Sequence, residues 1–161
     1  MEKLIEAVIR LAEAAGIRAV KAFPVGAMPA LTQPCTAVGL LKAKGAGRAV
    51  YAYLGVEEQA DGSLTPLYGR RLEAEVYLRV FCPRALGAQR CMQEAEKLAA
   101  ALSRPSPVVR LGALTVEQCG YDAAGDCYRC TVCVEAEAYV YAMANEDETE
   151  FTDFILKGEV K

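Results

Sequence analysis

RLEAEVYLRVFC (residues 71–82) alternates without a break, with Leu72, Ala74, Val76, Leu78, Val80 and Cys82 on one side and Arg71, Glu73, Glu75, Tyr77, Arg79 and Phe81 on the other. Successive side chains of an extended chain point to opposite faces, so this two-residue period predicts a strand with an apolar side against a core and a polar side outward. PRALG (83–87) breaks the pattern. From about Gly87 to Ser103 the apolar residues Cys91, Ala95, Leu98 and Leu102 recur at helical spacing before Pro105, which predicts a helix packed on the sheet.

Upstream, Leu4, Val8, Leu11 and Ala15 recur at three- and four-residue steps with Ile5 and Ile9 beside them, and Glu6 and Arg10 form an i,i+4 pair. Gly16 ends this first helix. IRAVKAF (17–23) is short and β-prone, and Pro24, Pro29 and Pro34 mark an extended loop about ten residues long, a candidate for function. Residues 35–42 read as a strand, KGAG (44–47) as a turn, and AVYAYLGV (49–56) as a second extended segment. EEQADGSLTPLYG (57–69) holds Asp61, Gly62 and Pro66 and reads as an exposed loop.

Downstream, VVRLGALTVEQCGY and CYRCTVCVEAEAYVYAMA are the arms of a long hairpin joined by DAAGD, with Gly125 near the tip. The second arm puts Cys130, Val132, Val134, Ala136, Ala138 and Val140 on the core side and Arg129, Thr131, Cys133, Glu135, Glu137, Tyr139 and Tyr141 outside. These elements predict one α+β domain over residues 1–143, a mainly antiparallel or mixed sheet flanked by two helices. Residues 144–161 form an acidic arm.

A chain of 161 residues that is 53% apolar suits a single folded domain. No apolar run reaches the roughly 18 residues of a membrane span, and Glu6, Arg10 and Glu13 interrupt the first stretch, so neither secretion nor membrane insertion is expected. Seven cysteines without framework spacing suit free thiols in a reducing compartment. The net charge is −3; from Asn145 onward six acids face two lysines, a net −4, which leaves the preceding residues at +1. That near-neutral body lacks the field for non-specific nucleic-acid binding.

Histidine is absent, which removes the usual general base, the triads that depend on it and most catalytic zinc sites. Cys127, Cys130 and Cys133 match an iron–sulfur spacing, and Cys119 would complete a four-cysteine metal site. On a strand, however, Cys130 faces away from the other two, which stand roughly 20 Å apart at about 3.3 Å per residue. Ordinary sheet cysteines, with no metal and no cofactor, are the expectation. Glu73 with Glu75 and Glu135 with Glu137 are same-face carboxylate pairs of the kind glycosidases use. The simpler reading is a solvated or interfacial face, paired across strands with Arg71, Arg79 and Arg129. KGAGR (44–48) lacks the order of a phosphate-binding loop. Tyr51, Tyr53, Tyr77, Tyr139 and Tyr141, interleaved with Arg79 and Arg129, could form a base-stacking platform, but they suit a protein interface better. The arm is either a solubilising tail or a segment that docks Phe151, Phe154, Ile155 and Leu156 on another subunit; four large apolar residues favour docking.

The order of elements resembles the tail terminator, or tail-completion, proteins of long-tailed bacteriophages and prophages. The residues that carry the likeness are MEKLIEAVIRLAEAAG, QPCTAVGLL after the loop, and RLEAEVYLRVFCPRALGAQRCMQEAEKLAAAL, together spanning most of residues 1–143. The resemblance implies a non-enzymatic virion protein that forms a ring, usually a hexamer, on the finished tail tube. There it would end tube growth and meet the head–tail connector, after assembly in the cytoplasm of a bacterial host. It further implies partners in itself, the tube protein and a connector protein, with no membrane and no specific nucleic acid. The interface candidates are the odd face of the long strand (Arg71, Glu73, Glu75, Tyr77, Arg79), the loop around Pro29, and Phe151, Phe154, Ile155 and Leu156 of the arm. Another phage neck component, or a small ligand-binding or regulatory module on a ferredoxin-like sheet, are the alternative readings, with a thiol or metal enzyme more distant.

Overall fold

The computed structural model describes residues 1–22, 30–45, 52–143 and 153–155. In chain order they form α1 (Glu2–Ala14), β1 (Ala19–Lys21), β2 (Cys35–Gly45), β3 (Ala52–Glu58), β4 (Leu64–Pro83), one 3-10 turn (Arg84–Leu86), α2 (Gly87–Leu102), β5 (Arg110–Val116), β6 (Gly120–Asp122), β7 (Cys127–Met143) and β8 (Asp153–Ile155). The fold is α+β, with a mixed, mostly antiparallel sheet in which β1 and β2 run parallel.

The alternating stretch is the middle of β4, which pairs with β7 in one unbroken antiparallel register from Leu67↔Met143 to Pro83↔Cys127. These two strands form the spine, and short strands lie end to end along their outer edges. β3 and then β2 cover β4, while β6, β5 and β8 cover successive lengths of β7. The even-numbered residues Ala74, Val76, Leu78, Val80 and Cys82 are buried against Val132, Val134, Ala136 and Ala138 of β7 and the apolar stripes of both helices. Burying one such side chain fully contributes roughly 1.5–3 kcal/mol, so the shared inner face holds both helices to the sheet.

The α2 stripe is Cys91, Glu94, Ala95, Leu98, Ala101 and Leu102. Glu94 is accommodated by Arg90, 2.6 Å away and four residues earlier. In α1 the buried residues are Leu4, Ala7, Val8 and Ala12, so the stripe is rotated toward its alanines, with Ile5, Ile9, Leu11 and Ala15 half-buried beside it. Small residues let the helix sit close on the sheet. Glu6 lies 3.1 Å from Lys21 of β1, so the charge of this helix face is used across elements. At the helix end Gly16 has φ of 72°, and the Gly16 and Ile17 N–H groups donate to the Glu13 and Ala12 carbonyls at 2.8 and 3.0 Å. This left-handed cap satisfies carbonyls that the helix leaves open and aims Ile17 back at the core.

Two expectations are corrected. Residues 57–69 are not one exposed loop: β3 runs to Glu58, β4 starts at Leu64, and only residues 59–63 turn. In that turn Asp61 Oδ1 accepts hydrogen bonds from the Ser63 N–H and hydroxyl at 2.9 and 2.6 Å. Pro66 fits in a strand because the β4–β7 pairing begins only at Leu67, so on that side no partner strand awaits its missing N–H. Lys44 and Gly45 belong to β2; the rest of the expected turn, Ala46 and Gly47, lies outside the described residues. The β6–β7 hairpin turns where DAAGD was read, with Asp122 Oδ1 accepting from the Ala124 and Gly125 N–H groups at 3.1 and 3.4 Å.

Candidate functional site

Both helices lie on the even face of the spine, and among the described residues no helix covers the odd face. Strand parity therefore places Arg71, Glu73, Glu75, Tyr77 and Arg79 side by side on one surface, with Thr131, Cys133, Glu135, Glu137 and Tyr139 of β7 opposite them. The five strand residues expected at an interface share one face, which the described helices leave open.

Its centre is a carboxylate quartet. Glu73 stands directly opposite Glu137, and Glu75 directly opposite Glu135. Like charges facing each other across a strand pair are destabilising unless cations flank them. The flanks supply them: Lys42 Nζ lies 2.6 Å from Glu75, and Arg71 lies 3.5 Å from Glu73 and 3.4 Å from Glu137. Arg110 of β5 reaches Glu137 from the other side at 3.9 Å. Lys44 pairs in register with Glu73, so four cations border four carboxylates. Hydrogen bonding to Glu75, with its charge, pushes the Lys42 ammonium above its usual range. A depression of 1160 Å³ adjoins this row, bounded by the end of α2 and by β5. The arrangement is a charge-compensated surface. Among the described residues no group of three or more Cys, Asp or Glu side chains has the geometry to hold a metal ion.

Beyond the quartet the surface changes character. The Tyr77 ring lies against the backbone of Gly39, where a β-carbon would overlap the ring, and the Arg79 guanidinium sits 4.5 Å from the ring centroid. Arg79 is thus engaged by an aromatic face, and Arg129 lies 3.5 Å from Asp122, so of the three arginines expected to pair with the carboxylates only Arg71 does so. Phe81, expected on the open side, is on that side but buried, because Leu31 packs over it together with Ala37 and Cys127.

The tyrosines do not form one platform. Tyr53 pairs with Tyr68, ring centroids 5.9 Å apart, on the even face, whereas Tyr77 and Tyr139 lie on the odd face. Tyr51 and the Tyr141 side chain lie outside the described residues. The cysteine run separates as strand parity requires: Cys130 is in the main core, while Cys127 is buried in the small cluster on the other face. Of the arm, Asp153–Ile155 adds to the sheet as β8, with Phe154 opposite Val140 and Ile155 opposite Tyr139. Pro29, Phe151 and Leu156 lie outside the described residues.

Two features escaped the sequence reading. The β3–β4 hairpin carries exposed Tyr53, Val56, Leu64 and Tyr68 on one side, a stripe hidden when residues 57–69 are taken as a loop. Cys82, Cys91, Cys119 and Cys130, from four different segments, meet at one end of the inner face. No protein-family model matches the chain, and no curated protein matches it significantly.

Proposed function

We propose that this protein is a non-catalytic structural subunit that assembles into a ring on the end of a phage tail tube, ends tube growth and offers the surface that meets the head. The single observation behind the reading is the odd face, left open by the described helices, where Arg71, Glu73, Glu75, Tyr77 and Arg79 stand in one row with the charges of Arg71, Glu73 and Glu75 already compensated and Arg79 stacked on Tyr77. A compensated face can be covered by another subunit at less desolvation cost than one of unpaired charges. The exposed apolar stripe of the β3–β4 hairpin adds a second surface suited to subunit packing. The mechanism is geometric: a ring that repeats the tube's end surface occupies it and denies the next tube subunit its place, with avidity multiplying each contact. Electron microscopy of the full chain, alone and with tail tubes, tests the reading. Rings, or caps at one tube end, are expected; monomers that never bind tubes would defeat it.

A further inference from the structure

The thiol cluster on the inner face lies outside the proposed interface. Cys91 sits in the second turn of α2, fully buried, its Sγ 3.6 Å from the Val80 carbonyl of β4. Cys119 lies in the short connector between β5 and β6 and is the partly exposed member. Its Sγ is 3.8 Å from the Ala88 carbonyl. A helical carbonyl lies beside the side chains three and four positions on, so a sulfur at Ala88 O stands next to residue 91. Cys82 and, more weakly, Cys119 act on the Cys91 thiol, and all three sulfurs border the same end of the core. Cys130 completes the group, its Sγ 3.1 Å from the carbonyl of Glu117, two residues before Cys119. All seven cysteines are free.

The members differ in access. Cys82 and Cys130 belong to the two spine strands and are buried. Cys119 is on a connector without regular structure and is partly exposed, so a small-molecule disulfide can reach its sulfur.

From this geometry we propose that Cys91 and Cys119 are a reversible dithiol–disulfide pair, formed by exchange with a small-molecule disulfide and locking the start of α2 to the β5–β6 connector. In the first step the Cys119 sulfur attacks the disulfide RSSR, forms Cys119–S–S–R and releases RSH. In the second the Cys91 sulfur attacks the Cys119 sulfur, forms the Cys91–Cys119 bond and releases the second RSH. Two protein thiols are oxidised and one disulfide is reduced to two thiols, with both protons carried by the leaving thiols. Cys82 and burial disfavour the Cys91 thiolate, so attack by Cys91 is the slow step and the pair rests as thiols until Cys119 carries the mixed disulfide.

The test uses the full chain incubated with oxidised glutathione, digested without reduction and analysed by mass spectrometry. The expected product is a cross-linked peptide pair joining Cys91 and Cys119 and lacking two hydrogens. It should revert with dithiothreitol, fall to background in Cys119→Ser and persist in Cys133→Ser. The oxidised protein should also unfold at higher urea concentration than the reduced one. Cys119 is only partly buried, so its variant keeps the test valid even if Cys91→Ser does not fold. A Cys82–Cys91 link, a glutathione adduct on Cys119 that never resolves, or no reaction would each overturn the proposal.

Discussion

Tyr77 of β4 lies against Gly39 of β2 so closely that no β-carbon fits at position 39. The two residues are register partners across the β2–β4 pair, and the ring they position carries the Arg79 guanidinium. Gly39→Ala should therefore push the ring off its seat and cost about 1–3 kcal/mol of stability, measured by urea unfolding. In a Tyr77→Ala background the same change should cost little, because the obstructing ring is gone. Equal costs in the two backgrounds would refute the contact's role.

The spine has no slack around Leu78, fully buried between Val38 and Val132 in register. Leu78→Ala should destabilise the fold by about 2–5 kcal/mol through lost burial and a residual cavity, read as a lower urea midpoint. A cost within the range of surface substitutions would mean that the inner face is not packed as described.

Lys42 compensates the carboxylate quartet, so Lys42→Met should lower stability, more at low ionic strength than in high salt. The sign with pH follows from its raised pKa. Its contribution is fully present below the usual lysine value of 10.5 and is lost as pH climbs through the higher folded-state value. The variant should accordingly show a flatter decline in thermal midpoint at strongly alkaline pH than the parent. A salt-independent effect would point to lost packing instead of lost charge.

Burial pushes the Cys35, Cys127, Cys130 and Cys133 thiols above their ordinary value of 9.0. Folding disfavours their ionised forms, so stability from this source is complete below pH 9.0 and declines as pH rises above it. Thermal midpoints measured across this range under reducing conditions should fall, and Cys35→Ala should lessen the slope. An unchanged slope would remove Cys35 from the account.

Arg79→Glu tests the proposed interface. Arg79 stacks on Tyr77 at the margin of the quartet, so reversing its charge alters the outward surface while leaving the core untouched. Ring assembly or tube capping, scored by electron microscopy, should fall at least tenfold, the effect of about 1.4 kcal/mol at one contact, with unfolding nearly unchanged. Intact assembly would argue against the odd face.

The parts of the fold legible in the sequence are those governed by local periodicity. Burial on alternate residues made β4 from 71 to 82 and the two faces of β7 readable, and Gly16 marked a helix end because only its backbone tolerates the cap. What stayed hidden depends on partners remote in the chain. Pro66 reads as a loop residue until its pairing with Val56 of β3 puts it in a strand. Phe81 reads as an outward residue until Leu31 crosses over it. The face taken by Tyr53 relative to Tyr77 is set by the pairing and bulge of β3, not by residue parity. For the site, the carboxylate row was visible, but its cation partners were only partly so, since Lys42 and Arg110 arrive from β2 and β5. The thiol cluster joins Cys119 to residues of three other elements, a proximity that no spacing encodes.

The unbroken β4–β7 register has a consequence for the order in which the chain organises itself. The hairpins at residues 59–63 and 122–127 close over a few residues, whereas the spine pairs strands whose nearest partners, Pro83 and Cys127, enclose α2, β5 and β6. Loop-closure entropy makes that union the late event, so the hairpins can form before the sheet exists as a whole. Until β4 and β7 meet, each strand presents an unpaired edge to neighbouring chains, and the speed of their union sets how long a newly made subunit is vulnerable to aggregation.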